Sequence, residues 1–166
     1  MTDLSVIIPT YNRVQYLKGC LDALSDQIHD DVDFEVIVVV DGSTDSTDEM
    51  LNSIITPYGL KKINQINSGQ QIARNLGASV ANGQYLLFID DDIVAEPRLV
   101  SEHFRLHKRH EKVVGVGKIT MDVGHADWFA RNFAKAWDEH YEELSEGLRS
   151  PSWYDAYAGN ISIARS

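Results

Sequence analysis

The chain has 166 residues, of which 43% are hydrophobic and 24% charged, enough for one domain with a real core and too apolar for a disordered chain. Fifteen basic and 25 acidic residues give a net charge of −10, and residues 1–60 alone carry −9, which argues against a nucleic-acid partner. One cysteine, Cys20, excludes an internal disulfide and suits a reducing compartment.

The first element is a short β-branched run, Leu4–Ile8, ended by Pro9 and read as a buried strand. Val14, Leu17, Leu21, Leu24 and Ile28 then repeat at helical spacing, predicting a helix over Val14–Ile28 with Asn12 as its N-cap and Cys20 in the core. Phe34–Val40 predicts a second buried strand, broken by Asp41-Gly42-Ser43, and Thr44–Ile55 a helix. Lys61–Ile66 is a weaker strand, Gln70–Val80 a helix stopped by Asn82-Gly83, and Tyr85–Ile89 a third strong strand. Pro97–His110 predicts a helix with Pro in its first turn, and Val113–Thr120 a further strand.

Continuous apolar strands alternating with helices indicate an α/β fold, with a mostly parallel central sheet covered by helices on both faces. After Thr120 the pattern changes. Residues 125–157 are rich in aromatics (Trp128, Phe129, Phe133, Trp137, Tyr141, Trp153, Tyr154, Tyr157), read first as the core of a helical layer and second as a platform for sugar rings. The whole chain reads as one domain, 1–166, with a less regular C-terminal part over 121–166. The longest apolar runs are too short to span a bilayer, and the N-terminus lacks the basic start of a signal peptide.

In open α/β sheets ligands bind beyond the carboxyl ends of the strands. Three strands here end in polar residues: Pro9-Thr10-Tyr11-Asn12, Asp41-Gly42-Ser43 and Asp90-Asp91-Asp92. Three adjacent carboxylates repel one another unless a hard divalent cation neutralises them. In extended backbone Asp90 and Asp92 share one side, so a D-x-D pair can offer one carboxylate to a metal and another to a sugar hydroxyl. The competing reading is a solvated helix-capping turn. Asp41 fits either an acceptor for a planar amide such as a pyrimidine, or a turn residue. Tyr11 fits base stacking or rim packing, and Arg74 a phosphate or base contact or a solvated ion pair. His103, His107 and His110 share one helix with Arg105, Lys108, Arg109 and Lys112. They read as a solvated basic face rather than a metal site, with a peripheral contact to anionic lipid headgroups as an extra reading. Gly115-Val116-Gly117 lacks the third glycine and following helix of a dinucleotide fingerprint. A phosphatase of the strand-end acid type needs a nucleophilic Asp on the first strand, which here ends in Pro9-Thr10.

Five segments in order resemble the family 2 glycosyltransferases: Ser5–Arg13 (SVIIPTYNR), Val38–Asp45 (VVVDGSTD), Asn67–Gly77 (NSGQQIARNLG), Phe88–Asp92 (FIDDD) and Ala158–Ile163 (AGNISI). The resemblance implies a GT-A fold, with 1–120 a nucleotide-binding half and 121–166 a partial acceptor-side half, and transfer of a sugar, with inversion, from a nucleotide-diphosphate sugar to an acceptor hydroxyl. A UDP-sugar is the foremost donor, and a saccharide or lipid-linked molecule the acceptor. It implies that Pro9, Thr10 and Tyr11 line the base pocket and Asp41 hydrogen-bonds the base. Arg74 then lies beside base or phosphates, and Asp90 or Asp91 holds the ribose. Asp92, with Asp90, binds Mg²⁺ or Mn²⁺, and Gly159 and Asn160 lie near the donor sugar. The family's catalytic base follows the G-N-x-S strand, so it is expected C-terminal to Ser166. The alternative is a non-catalytic nucleotide-sugar-binding module. A cytoplasmic location, at the inner face of the membrane for lipid-linked acceptors, completes the expectation.

Overall fold

The computed structural model describes residues 1–28, 31–124 and 127–165, apart from the side chain of Trp153. In chain order these form β1 (Leu4–Thr10), α1 (Val14–Ser25), β2 (Phe34–Asp41), α2 (Thr47–Ser53), β3 (Gly59–Gln65), α3 (Gln70–Ser79), β4 (Tyr85–Ile89), α4 (Leu99–Arg109), β5 (Gly115–Val116), α5 (Trp128–Ser145) and β6 (Asn160–Ala164). The sheet order is β3-β2-β1-β4-β6-β5. β3, β2, β1 and β4 run parallel, and β6 is antiparallel to both β4 and β5.

Alternate residues of the apolar strands face opposite sides of the sheet, so each side needs its own cover. One core joins Leu4, Val6, Ile8, Val36 and Val38 to Leu17, Leu21 and Leu24 of α1 and Val100 and Phe104 of α4. The other joins Ile7, Ile37, Val39 and Leu86 to Ala73 of α3. Cys20 lies in the first core, as its helical position predicts, and burial pushes its thiol up to about 12. On the other face Gly77 brings α3 so close that a Cβ there would stand 2.6 Å from Ile7 Cγ2.

Beyond the central strands, sequence expectations need correction. The strand predicted over Val113–Thr120 shrinks to Gly115–Val116, because only that pair registers against β6. The basic-face reading fails for His103 and His107, each only 6% exposed and turned onto β6. The predicted aromatic core beyond Thr120 is only partly built. Trp137 packs on Tyr141 and Tyr157 and donates from Nε1 to the Ile119 carbonyl, whereas Trp128 and Phe129 are 74% and 71% exposed and Phe133 and Tyr154 are also exposed. Residues 125 and 126 and the Trp153 side chain lie outside the described part. Among the described residues no helix is long and apolar enough to cross a membrane.

Candidate donor site at the strand ends

The register sets Thr10 level with Val40 and Asp41 level with Gln65, so the polar ends of β1, β2 and β3 finish along one edge. The loops beyond them are tied together by side chains. Asn12, in a left-handed conformation (φ 54°), accepts at Oδ1 from the backbone N–H groups of Thr44 (2.7 Å) and Asp45 (3.3 Å). Asp45 Oδ2 accepts from Val14 N, the first residue of α1. Asn12 is therefore not the helix cap the sequence predicts. The cap comes from Asp45, 31 residues away, while Arg13 holds the N-cap position without capping. Such an acceptor satisfies a free N–H at a helix start.

Asp41 is 4% exposed. Its Oδ1 accepts from Gln65 Nε2 (2.6 Å) and Ser68 N (2.8 Å), and its Oδ2 from Gly69 N (2.9 Å). Burial alone would push this carboxyl up, but the three donors outweigh it and hold Asp41 below the usual carboxylate range. Gly42, at φ 75°, allows the close turn: a Cβ there would lie 2.7 Å from Asn67 N. Asp41 thus anchors the Asn67–Gly69 turn, and Oδ2 keeps acceptor capacity for a ligand.

The triple Asp is not one extended run, because strand pairing stops at Ile89 and the chain turns at Asp91 and Asp92. The predicted pairing of Asp90 with Asp92 on one side is therefore replaced. Asp91 and Asp92 share the Arg13 guanidinium, at 3.3 and 2.7 Å, while Asp90 turns to Arg74 and to Gln70 Nε2 (3.0 Å). Asp91 is buried and accepts from Thr10 Oγ1 at 2.7 Å. Burial raises its pKa against the opposing pull of Thr10 and Arg13.

Pro9, Thr10, Tyr11, Asp41 and Asp91 line one cavity of about 450 Å³, with Arg13, Asn67, Gly69 and Gln70 around it. Tyr11 is half exposed at its rim. Arg74 lies outside that lining and joins the site through Asp90. Its Nε is buried and has no hydrogen-bond partner among the described residues. Asp92 and Asn160 line an adjoining cavity of about 400 Å³. Gly159 sits against Asp90, whose N–H donates to the Gly159 carbonyl. A Cβ at Gly159 would come within 2.9 Å of Asp90 Oδ2. A roomier cavity of about 810 Å³, between α5 and β5, is lined by Val114, Val116, Tyr141 and Leu144 and holds none of the strand-end acids.

Asp90 and Asp92 are already paired to different arginines, but each keeps one carboxylate oxygen, Oδ2 and Oδ1 respectively, that accepts no hydrogen bond from the described residues, as ligation of a hard cation needs, and both side chains are partly exposed. Among the described residues no three His, Cys, Asp or Glu side chains converge, so further ligands have to be water or the substrate's own oxygens. Arg13 and Gln70 carry no role in the sequence reading. The signal for Arg13 was its place directly after Tyr11-Asn12, and Gln70 opens the helix that carries Arg74.

Comparison with known proteins gives the family and the fold. The chain is 39% identical over 106 residues to validoxylamine A glucosyltransferase of Streptomyces hygroscopicus subsp. jinggangensis, covering 63% of this chain and 25% of that protein. It superposes on residues 1–349 of Staphylococcus aureus TarS, solved in complex with UDP-GlcNAc, with a TM-score of 0.65 and 31% identity, over 73% of this chain and 35% of that one. A mannosyltransferase of Pyrobaculum calidifontis, in complex with GDP-Man and Mn²⁺, shares the fold with a TM-score of 0.70 at 18% identity, over 99% of this chain and 46% of that one. The chain thus spans about a quarter to a half of these proteins. The family model described as glycosyl transferase family 2 matches residues 5–166, and the chain belongs to that family.

Proposed function

We propose that the chain holds a nucleotide-diphosphate sugar across the ends of β1, β2 and β4 and forms the donor site for inverting transfer of the sugar to an acceptor hydroxyl. The observation that carries this reading is the cavity in which Tyr11 and the buried acceptor Asp41 stand beside the Asp90–Asp92 turn. Pro9, Thr10 and Tyr11 enclose the base, with the Tyr11 ring available for stacking. Asp41 Oδ2 accepts an imide N–H, a preference for a pyrimidine that favours a UDP-sugar. The TarS complex with UDP-GlcNAc supports that donor class.

Asp91 is assigned the ribose hydroxyls, and Arg74, through its unpartnered Nε, a base or phosphate oxygen. Asp92 with Asp90 is assigned Mg²⁺ or Mn²⁺, which when bound supplies Lewis-acid neutralisation of the departing diphosphate. Gly159 leaves the space beside Asp90 that a substrate oxygen needs. Inversion also requires a base for the acceptor hydroxyl, saccharide or lipid-linked. None of the strand-end residues is assigned that role. Residues 1–120 carry the nucleotide side of this site, and 121–166 contribute to the acceptor side.

Calorimetric titration with UDP, GDP and dTDP, each with and without Mn²⁺, tests the reading. Metal-enhanced binding of one nucleotide is expected, with UDP tightest. No binding to any of the three overturns it. Slow hydrolysis of the matching sugar nucleotide separates a transferase site from a module that only binds.

A further inference from the structure

Three features remain outside the donor-site reading: the paired histidines of α4, the Gly115-Val116-Gly117 segment, and the serine of the last strand. The fold brings them to one place. Ser162 is fully buried, and its Oγ lies 2.7 Å from His103 Nδ1 and 2.8 Å from His107 Nε2. His103 Nε2 lies 2.9 Å from Oδ1 of Asn160, itself 4% exposed. His107 is held flat against the Tyr85 ring, with centroids 4.6 Å apart and planes at 12°.

The two glycines make the room. A Cβ at Gly115 would fall 2.5 Å from Ser162 Oγ and 3.1 Å from His103 Nδ1, and any side chain at Gly117 would land on the Asn160 carboxamide. Gly115 of β5 and Gly117 just beyond it thus leave the two positions where the network passes bare of side chains. Glycine spacing here serves a buried polar chain rather than a phosphate.

The direction of this chain follows from its far end. Asn160 Nδ2 points to the Lys118 carbonyl at 3.4 Å, which turns Oδ1 toward His103. A carboxamide oxygen only accepts, so His103 Nε2 carries the proton. His103 Nδ1 then accepts from Ser162 Oγ–H, and Ser162 Oγ accepts from His107 Nε2–H. Burial and the neighbouring His107 lower the His103 pKa against the pull of Asn160, consistent with a neutral ring. With Nδ2 on the Lys118 carbonyl, each bond in the chain has one donor and one acceptor.

We propose that His103 is a positioning residue: with Ser162 and His107 it locks the Asn160 carboxamide so that the remaining Nδ2 hydrogen is offered to a hydroxyl oxygen of the donor sugar. This deepens the donor-site reading and rests on it. The cavity that Asn160 lines also contains Asp92, the residue assigned to the diphosphate's metal, so a sugar linked to that diphosphate falls within its reach. The network discriminates sugar rather than nucleotide, because none of its members lines the base cavity.

Two measurements test it. Nitrogen-15 chemical shifts of the imidazoles in the full chain at neutral pH should show His103 and His107 both protonated at Nε2. A His103 protonated at Nδ1 overturns the proposal, since Asn160 would then face its oxygen to the sugar. In parallel, calorimetry compares the best-binding nucleotide among UDP, GDP and dTDP with its glucose conjugate. In H103L the nucleotide affinity should stay within about twofold, whereas the glucose conjugate should bind about three- to tenfold more weakly, the worth of one lost hydrogen bond. H103Q, which can donate to Asn160 and accept from Ser162, should recover most of the loss. If H103L does not fold, Ser162→Ala carries the same comparison. An unchanged sugar increment in a folded variant overturns the positioning role. Failure of the unsubstituted chain to bind any nucleotide overturns the donor-site reading and with it the sugar assignment, whatever the imidazole shifts show.

Discussion

Asp41→Asn is the substitution whose cost the structure lets us work out most fully. The carboxylate takes three donors: Gln65 Nε2, Ser68 N and Gly69 N. An Asn of the same shape can keep its oxygen toward Gln65 and Ser68, but its Nδ2 then faces the Gly69 N–H, donor against donor. One charge-assisted bond is lost, one backbone N–H is left unpaired, and the two surviving bonds become neutral ones. A hydrogen bond to a charged group is worth about 1.5–3 kcal/mol, and an unsatisfied buried donor costs about 1–3 kcal/mol. Allowing for relaxation of the turn, a net loss of about 2–4 kcal/mol is expected. With a urea slope of about 1–3 kcal/mol per molar, the midpoint should fall by about 1–2 M.

The loss should depend on pH in a defined sense. The folded pKa of Asp41 is held below its unfolded value, so its contribution is full above the unfolded value, near 4. It disappears as pH falls through the lower folded value. The gap between parent and variant should therefore be constant from pH 7 to pH 5 and close below that. Urea titrations at pH 7, 5 and 3 read it directly. A loss under about 0.5 kcal/mol at pH 7, or a gap that widens in acid, refutes the anchoring role assigned to Asp41.

Thr10→Val keeps the shape but removes the donor to buried Asp91, so urea unfolding at pH 7 should show a loss of about 1–3 kcal/mol. Gly77→Ala drives a methyl against Ile7 and should cost about 1–3 kcal/mol by the same titration, despite the helix preference for alanine. Asp92→Ala should abolish Mn²⁺-dependent nucleotide binding in calorimetry. Its thermal midpoint should barely move, because its ion pair with Arg13 is exposed and worth at most about 1 kcal/mol. Undiminished Mn²⁺ dependence in that variant removes Asp92 from the metal assignment.

The central strands were legible in the sequence because burial on both faces demands uninterrupted apolar runs, and Tyr85–Ile89 matches its predicted bounds. The edges were less so. α2 begins at Thr47 rather than Thr44, because Asn12 captures Thr44 N and Asp45 N while Asp45 takes Thr47 N. These competitors lie a whole strand away or point sideways, and no periodicity reports them. The strand-end acids were readable as a cluster, but not the division of Arg13 and Arg74 among them, which depends on a turn at Asp91. The histidines of α4 were placed on the solvated side because their neighbours Arg105, Lys108 and Arg109 are basic. Helical spacing gives which residues share a face, and only the arrival of β6 decides which face is covered.

The position of β6 has a consequence for synthesis. Strands β1 to β4 can pair with one another as they leave the ribosome, because β2, β3 and β4 each find a neighbour made earlier. β5 cannot, since its sheet neighbour β6 is made some 44 residues later, after the whole of α5. Until then α4 presents an unpaired histidine edge and β4 an open strand edge. A nascent chain paused between Thr120 and Gly159 is therefore the species most exposed to wrong pairing and the one a chaperone has most reason to hold.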